Sequence, residues 1–289
     1  MVRSRKRAAG AEPLVVVTAY DTPGARIADA AGVDVILVGD SLGDNVLGYD
    51  DTLHVTLDDM ARHTAAVRRA GPAALVIADL PWMTYHLGVD DAVGNAAALV
   101  RAGAQAVKLE GGGPRVAVVE AIVAAQIPVM GHLGLTPQSV LAMGGYRVQA
   151  RDAGAAVALV DAARALAGAG CFGIVLEGVP DAVAAAVTAS VDIPTIGIGA
   201  GPACDGQVLV FHDLLGLGGR PPAKFVRRYA DLAGTATAAI AAYAADVRAG
   251  DFPDDTETYH ATAELAASLA ASTGEGSPGA GPPVATGAD

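Results

Sequence analysis

The stretch VDVILVGDSLG, residues 33–43, has the pattern of a short buried strand with a carboxylate at its end. Residues 35–38 are all apolar, which is typical of a parallel strand whose two faces are both covered by helices. Gly39 ends the apolar run, and Asp40 and Ser41 follow it directly. The stretch therefore predicts a helix-covered parallel sheet, and it raises the question of why an aspartate lies at the tip of a buried strand.

Similar short runs occur along the chain, and alanine-rich stretches with helical spacing separate most of them. These runs are LVVVTA (14–19), AALVIA (73–78), QAVKLE (105–110), IPVMGHL (127–133), FGIVLE (172–177), IPTIGIG (193–199) and QVLVFH (207–212). In one intervening stretch Val116, Val119 and Val123 recur at i, i+3 and i+7, which gives one apolar stripe along a helix. The connection 200–206 is too short for a crossover helix.

Strands that alternate with helices in eight units predict an α/β protein of the (β/α)8 TIM-barrel type. The 289 residues, 52% of them hydrophobic, suit one such barrel with a full core. An open doubly wound sheet is the alternative, although TAYDTPG (18–24) after the first strand lacks its GxGxxG fingerprint. We expect a basic N-terminal tail (1–12), a single barrel domain with C-terminal helices (13–271) and a disordered tail (272–289).

Charge and cysteine usage exclude several function classes. The net charge is -12, and the basic run Arg3, Arg5, Lys6 and Arg7 is interpreted as a solvated tail, so a nucleic-acid interface is set aside. Cys171 and Cys204 have no CxxC partner, which argues against a disulfide framework and a thiolate metal site. No stretch approaches the roughly 20 apolar residues of a membrane span. We therefore expect a soluble, cytoplasmic protein.

Polar groups recur where the predicted strands end, and barrel enzymes carry their active sites at the C-terminal ends of the strands. The groups at these ends are Asp40, Ser41, Asp79, Lys108, Glu110, His132 and Glu177. Since side chains alternate along a strand, Lys108 and Glu110 share one face and Leu109 takes the other. If Leu109 packs against helices, the lysine and the glutamate face the barrel mouth, where a lysine needs an anionic partner.

The carboxylates at this rim need a compensating charge. Two carboxylates about 4 Å apart repel by roughly 4 kcal/mol at an effective dielectric constant of 20. Asp40, Asp79 and Glu110 can therefore share one mouth only with a proton or a cation between them. Because the set consists of oxygen ligands, without cysteine or an HExxH pair, it favours a hard ion such as Mg²⁺ over zinc.

Several of these residues also have an ordinary structural interpretation. An aspartate after a strand often caps the next helix, an interpretation that suits Asp21 and Asp58 and stays open for Asp79 taken alone. His132 on an apolar strand is more often a hydrogen-bonded core histidine, with a supporting or substrate-contacting role as the alternative. The run GIGAGPACDG (197–206) is compatible with a phosphate cradle or with tight turns.

The ordered motifs of this chain resemble those of the ketopantoate hydroxymethyltransferase (3-methyl-2-oxobutanoate hydroxymethyltransferase) family, from about Tyr20 to Tyr229. The motifs that carry the resemblance are TAYD, VGDSLG, GYDDTLHVT, HTAAV, ADLPW, KLEGG, GHLGLTPQS, GGYRVQAR, IPTIGIGAG and CDGQVLVFHDLLG. Departures are His54 in place of proline, Ala150 in place of glycine and Trp82 in place of phenylalanine. None of the departures affects a rim group.

The resemblance implies an enzyme of pantothenate and coenzyme A biosynthesis. Members transfer a one-carbon unit from 5,10-methylenetetrahydrofolate to 3-methyl-2-oxobutanoate, giving 2-dehydropantoate through an enolate that Mg²⁺ stabilises, and they usually form homodecamers. Carried over by motif, Asp40 and Asp79 bind the metal and the substrate chelated to it, and Glu110 completes the metal shell through water. Ser41 and Lys108 contact the keto acid together with His132, and Glu177 is the general base.

Other function classes remain as alternatives to this transferase. The strongest is a Mg²⁺-dependent lyase or mutase of 2-oxo acids, of the isocitrate lyase and phosphoenolpyruvate mutase kind, which relies on a nucleophilic cysteine or another flexible-loop group. A phosphate-binding barrel that uses GIGAG (197–201) is a second alternative. A non-catalytic binding or oligomeric protein is a third, and the presence of Asp40, Asp79 and Glu177 argues against it.

Overall fold

Parallel strands pair in chain order and close into a barrel in the computed structural model, which describes Lys6 and residues 12–219 and 221–273. The strands are β1 (Leu14–Thr18), β2 (Val35–Val38), β3 (Leu75–Asp79), β4 (Ala106–Glu110), β5 (Val129–Gly134), β6 (Gly173–Glu177), β7 (Thr195–Ile198) and β8 (Gly206–Leu209). All eight predicted strands are present, and the predicted (β/α)8 TIM-type barrel is confirmed. The predicted last strand is too long, because Phe211 and His212 belong to a helix.

Helices cover the outside of the barrel. The helices of the barrel unit are α1 (Thr22–Ala30), α2 (Leu42–Asn45), α3 (Leu57–Arg69), α4 (Val89–Ala102), α5 (Val116–Ala124), α6 (Val140–Met143), α7 (Ala153–Gly168), α8 (Asp181–Ser190) and α9 (Phe211–Leu215). Two further helices, α10 (Leu232–Ala249) and α11 (Ala263–Thr273), follow along the chain. As predicted, β7 and β8 are joined without a helix. The predicted stripe on α5 also holds, since Val119 is fully buried and Val116 and Val123 pack against the same core.

Two helix starts show how local chemistry sets the element boundaries. Asp21 caps α1 as predicted, since its Oδ1 accepts a hydrogen bond from the Gly24 amide at 2.7 Å. The predicted cap at Asp58 is wrong. Thr56 caps α3 and forms a reciprocal capping box with Asp59, which leaves Asp58 inside the first turn.

The core has an inner and an outer layer because side chains alternate along each strand. The inner layer fills the barrel with branched and small aliphatic side chains such as Val35, Leu37 and Ile77. The outer layer packs the strands against the helices and includes Ile36 and Leu109, both fully buried. Leu109 therefore faces the helices as expected, which directs its two neighbours on β4 into the barrel.

The described chain divides into two compact units between Ala233 and Gly234. The first unit contains the barrel. In the C-terminal part α10 and α11 bury none of their residues, and apolar side chains such as Ile240 and Leu265 are exposed. The single domain predicted over 13–271 stays a prediction. No described helix has the length and apolar character needed to cross a membrane.

The predicted tails fall mainly on residues outside the described part of the chain, including Arg3, Arg5 and Arg7. Lys6 is described, and its Nζ lies 3.0 Å from Asp205 Oδ2 and donates to the Thr188 carbonyl at 2.6 Å. The prediction of a solvated basic run is therefore wrong for Lys6, because a buried acid lies within its reach. At the other end, α11 includes Ser272 and Thr273, so the predicted disordered tail begins inside a helix.

Barrel closure requires a glycine where β8 meets β1. A Cβ at Gly206 would lie 2.5 Å from the Leu14 carbonyl oxygen, which is backbone and cannot rotate away. We expect Gly206→Ala to lower the free energy of unfolding by about 1 to 3 kcal/mol. Urea denaturation of the metal-free chain measures this change. The matched control is Gly94→Ala within α4, where a Cβ meets nothing within 4 Å and is expected to stabilise the helix by about 0.5 to 1 kcal/mol. Equal effects would contradict the closure argument.

Candidate active site

A cavity of about 290 Å³ opens at the C-terminal ends of the strands, and all seven predicted rim residues line it. Five of them are buried and form the floor of the cavity, namely Asp40, Asp79, Lys108, Glu110 and His132. Ser41 and Glu177 are half-buried at its side. The strands position them through their register, since Asp79 on β3 lies beside Lys108 on β4 and Glu110 on β4 lies beside His132 on β5. The structure thus brings together residues that are far apart in sequence.

Lys108 lies among the carboxylates of the floor. Its Nζ is 3.0 Å from Asp79 Oδ2 and 4.0 Å from Glu110 Oε1, with both side chains almost fully buried. Burial favours the neutral amine, but the neighbouring acids, Asp79 first, outweigh it and raise the pKa of Lys108 above its usual value. The lysine therefore remains an ammonium ion inside the barrel mouth.

Asp40 and Asp79 lie side by side, since Asp79 Oδ2 accepts a hydrogen bond from the Asp40 amide at 3.1 Å. Burial, followed by the charges of Asp79 and Glu110, raises the pKa of Asp40 well above its ordinary value. Burial also raises the pKa of Asp79, against the opposing effect of Lys108. The alternative that Asp79 merely caps a helix is wrong, because the next helix starts at Val89 with Gly88 as its cap.

His132 lies between two glutamates. Its Nδ1 is 3.1 Å from Glu110 Oε1 and 3.4 Å from Lys108 Nζ, and its Nε2 is 3.3 Å from Glu177 Oε2. Burial and Lys108 favour the neutral ring, but the charge of Glu110, together with the polar contacts to Glu110 and Glu177, raises the pKa of His132 to about 9. Burial alone would raise the pKa of Glu110, but the positive charge of His132, its hydrogen bond and the charge of Lys108 together outweigh burial, so the pKa of Glu110 lies below its ordinary value. The histidine is thus a buried, acid-paired side chain that reaches the cavity.

Ser41 presents its hydroxyl next to a buried phenol. Its Oγ lies 2.8 Å from the hydroxyl of Tyr20, which also accepts a hydrogen bond from Thr18 Oγ1 at 2.9 Å. Burial raises the pKa of Tyr20 above its ordinary value, so the phenol keeps its proton. The Ser41 hydroxyl is therefore oriented by a neutral network at the edge of the cavity.

Sequence reasoning missed two buried residues at this site, Gln138 and Tyr85. The Gln138 side chain donates to Asp40 Oδ2 at 2.7 Å, its backbone amide donates to Glu110 Oε2 at 3.0 Å, and its Oε1 accepts from the Tyr85 hydroxyl. Gln138 lies in a 3-10 turn after β5, and Tyr85 lies in the loop after β3. The sequence signal that could have indicated them is their position in loops that follow strand ends. The residues PQS (137–139) by themselves have the pattern of an ordinary helix start.

The donor set fits a hard divalent cation. Asp40, Asp79, Glu110 and Glu177 face only two bases, Lys108 and His132. In addition, Asp79 Oδ1 is buried and has no hydrogen-bond partner in the described structure, which is an unusual state for a carboxylate oxygen. Within the described ranges no three His, Cys, Asp or Glu side chains already converge as a ligand group. A Mg²⁺ held directly by two carboxylates, with water in its other positions, needs no such group.

The glycine-rich run 197–206 is explained by close packing. Gly199 and Gly201 have positive φ angles of 61° and 76°. A Cβ at Gly199 would lie 2.7 Å from the Phe225 ring, and one at Gly201 would lie 2.6 Å from Asp181 Cβ. The turn alternative therefore accounts for these glycines, and nothing about them requires a phosphate.

Comparison with known proteins identifies the family. The family model described as ketopantoate hydroxymethyltransferase matches residues 2–255. The chain belongs to the ketopantoate hydroxymethyltransferase family. A 3-methyl-2-oxobutanoate hydroxymethyltransferase from Nitratidesulfovibrio vulgaris (strain DP4) is 58% identical over 255 residues, which cover 88% of this chain and 83% of the relative. One from Koribacter versatilis (strain Ellin345) is 53% identical over 259 residues, covering 89% and 88%. The resemblance of the motifs is thus confirmed, and the family is one of transferase enzymes.

Solved structures with the same fold include members of another group of enzymes. The structure of 2,3-dimethylmalate lyase, a member of the PEP mutase/isocitrate lyase superfamily, has a TM-score of 0.55 at 21% identity and covers 92% of this chain and 94% of the lyase chain. This likeness shows the barrel alone. In this chain Cys171 and Cys204 are buried, and neither lines the cavity. Burial raises the pKa of both thiols. A lyase mechanism with a nucleophilic cysteine therefore has no residue to use.

The raised pKa of His132 predicts how stability depends on pH. A group whose pKa is higher in the folded chain stabilises it fully below the unfolded value, near 6.5, and this stabilisation is lost as pH rises through about 9. We expect the metal-free chain to lose up to about 1.4 kcal/mol per pH unit within this window, as one proton allows. Urea denaturation from pH 6 to 9 measures the slope. We expect His132→Gln to flatten it, and a slope that survives this substitution would assign the proton to another group.

Proposed function

We propose that this chain transfers a hydroxymethyl group from 5,10-methylenetetrahydrofolate to 3-methyl-2-oxobutanoate and forms 2-dehydropantoate for pantothenate biosynthesis. The names of its relatives support ketopantoate hydroxymethyltransferase activity. The observation that carries the proposal is the buried group of Asp40, Asp79, Glu110 and Lys108 on the cavity floor, with Glu177 at its side. This group combines a place for a divalent cation, a fixed positive charge for a carboxylate substrate and a base.

The cation would be Mg²⁺, one per chain. We propose that Asp40 and Asp79 hold it directly and that Glu110 holds it through water, because the unpartnered Asp79 Oδ1 and the excess of acids both favour a cation. When bound, Mg²⁺ acts as a Lewis acid that stabilises the negative charge developing on a 2-oxo acid, an effect worth several kcal/mol.

Residues of the floor and the wall suit the two ends of the keto acid. The ammonium of Lys108 offsets the substrate's negative charge, and Ser41 at the side and the buried His132 supply polar contacts. The apolar side chains of Val175 and Ile198 also line the cavity, and they suit the branched side chain of 3-methyl-2-oxobutanoate. Ile198 is the register partner of Glu177 on the neighbouring strand. The substrate carbon that loses its proton would therefore lie beside Glu177.

Glu177 is the proposed general base. Its carboxylate lies at the side of the cavity, is 17% exposed, and has His132 Nε2 3.3 Å from its Oε2. It takes the proton from C3 of the keto acid, a step to which a positioned base contributes about 10² to 10⁴-fold. The carbon then bonds to the methylene carbon of the folate. Both methylene C–N bonds break with their electron pairs left on the two folate nitrogens, water supplies the hydroxyl group, and the proton from C3 and one proton from water go to those nitrogens to give tetrahydrofolate. Asn45 and Phe225, which are more exposed than the residues of the floor, also line the cavity.

The proposal also includes the cellular compartment, the oligomeric state and the partners of the enzyme. Both cysteines are free and buried, which suits a reducing cytoplasm. Exposed apolar side chains on the C-terminal helices, such as Ile240, Tyr243 and Leu269, favour a homo-oligomer, and a decamer follows from the family resemblance. The proposed partners are the two small-molecule substrates, with neither nucleic acid nor membrane.

Turnover tests the reaction and its metal requirement together. We expect the purified chain to form 2-dehydropantoate from the keto acid and methylenetetrahydrofolate in the presence of Mg²⁺. EDTA should abolish product formation and excess Mg²⁺ should restore it, as measured by mass spectrometry of the product. A chain that is folded, supplied with Mg²⁺ and both substrates, and still forms no product would contradict the proposal.

Glu177→Gln tests the base separately from binding. We expect exchange of the C3 proton with deuterated water to fall at least about 10²-fold, because the amide accepts no proton, while keto-acid binding changes little. Proton NMR measures the exchange and calorimetry the binding. Glu120→Gln, on the exposed face of α5, is the matched control. Undiminished exchange in Glu177→Gln would remove this residue from the base role.

A further inference from the structure

Gln138 is a buried amide whose hydrogen-bonding groups are all used. Its Nε2 donates to Asp40 Oδ2 at 2.7 Å and to the Leu80 carbonyl at 3.0 Å, and its Oε1 accepts from the Tyr85 hydroxyl at 2.5 Å. Only 4% of the residue is exposed. Both N–H donors of the amide and its oxygen thus have partners. One lone pair of the oxygen is the remaining hydrogen-bonding capacity of the side chain.

The partners also fix which way the amide faces. The Leu80 carbonyl can only accept a hydrogen bond, so the NH₂ group must face Leu80 and Asp40. The Tyr85 hydroxyl accepts from the Glu110 amide at 3.3 Å, which leaves its proton for Gln138 Oε1. A rotation of the amide by 180° would break these bonds and place its oxygen against the Asp40 carboxylate.

This one residue connects two carboxylates from different strands. Its side chain holds Oδ2 of Asp40, which follows β2, and its backbone amide holds Oε2 of Glu110 at the end of β4. A carboxylate held through one oxygen has its orientation fixed, which turns the other oxygen, with both of its lone pairs, toward a ligand. For Asp40 that oxygen is Oδ1, which accepts no hydrogen bond from the residues described in the structure.

We propose that Gln138 is a positioning residue of the acidic site, which orients Asp40 and Glu110 toward a divalent cation, and that Tyr85 acts through it. The inference rests on the proposed function, since it assigns the role of a cation to the same carboxylates. A loop anchor without this role would hold the turn at 137–139 equally well, but it would not affect how tightly the carboxylates bind a metal.

Mn²⁺ binding to the full-length, substrate-free chain tests the inference without measuring activity. We expect Gln138→Met, which keeps the side-chain volume and the backbone amide, to raise the Mn²⁺ dissociation constant about 10- to 100-fold. Electron paramagnetic resonance of free Mn²⁺ gives the constant. The matched control is Gln207→Met, because that amide is exposed and its one hydrogen bond within the described residues is to the Gly201 carbonyl. The control should bind Mn²⁺ like the wild-type chain.

Tyr85→Phe provides a second variant that leaves the Gln138 amide in place and removes its tether. We expect a rise of about 3- to 10-fold in the dissociation constant, and no more than a twofold further rise when it is added to Gln138→Met, since the two act as one unit. Unchanged affinity in either folded variant would overturn the inference. If Gln138→Met does not fold, Tyr85→Phe decides alone. A wild-type chain that binds no Mn²⁺ would overturn the proposed metal as well, whereas tight wild-type binding with unaffected variants overturns only the role of Gln138.

Discussion

The burial of Lys108 among carboxylates is the interaction on which the site depends. Removing an ammonium ion from water costs several kcal/mol, and Asp79 at 3.0 Å with Glu110 at 4.0 Å compensates for this cost. The carboxylates depend on the lysine in the same way, because without it their mutual repulsion would be opposed only by His132. These two bases still do not balance the acids that line the cavity, so the cavity keeps an excess of negative charge. That excess is what makes a cation a suitable ligand for the barrel mouth.

Barrel geometry makes this arrangement possible without long-range loops. Neighbouring parallel strands bring Asp79 beside Lys108, Glu110 beside His132, and Ile198 beside Glu177. Alternation along each strand directs these side chains inward while residues such as Leu109 pack against the helices. The rigid outer core therefore holds the charged groups at fixed separations. The hydrogen bonds of Gln138 add a cross-connection between β2 and β4, which are not adjacent in the sheet.

The barrel and the rim residues could be predicted from sequence because both follow from patterns with a physical period. Apolar runs mark the strands, and polar residues at their ends mark the rim, so Asp40, Lys108 and Glu177 were found without the structure. Gln138 and Tyr85 could not be found in this way, since a loop has no period and the direction of its side chains is set by tertiary contacts. Local competition explains the smaller errors: Thr56 and Asp59 satisfy the start of α3 better than Asp58, and Lys6 reaches a buried acid.

Two buried aspartates show how the fold separates stability from function. Asp205 lies at the N-terminal end of β8, where its Oδ2 accepts hydrogen bonds from the Thr195 amide, the Thr195 hydroxyl and Lys6. Asp79 lies at the C-terminal end of β3, and its Oδ1 is buried without a partner in the described structure. A satisfied buried acid contributes to a stable native state, whereas an unsatisfied one costs free energy until a ligand supplies the missing contact. The stabilising core and the satisfied end of the barrel therefore allow the opposite end to retain an unfavourable charge arrangement that a cation and a keto acid can relieve.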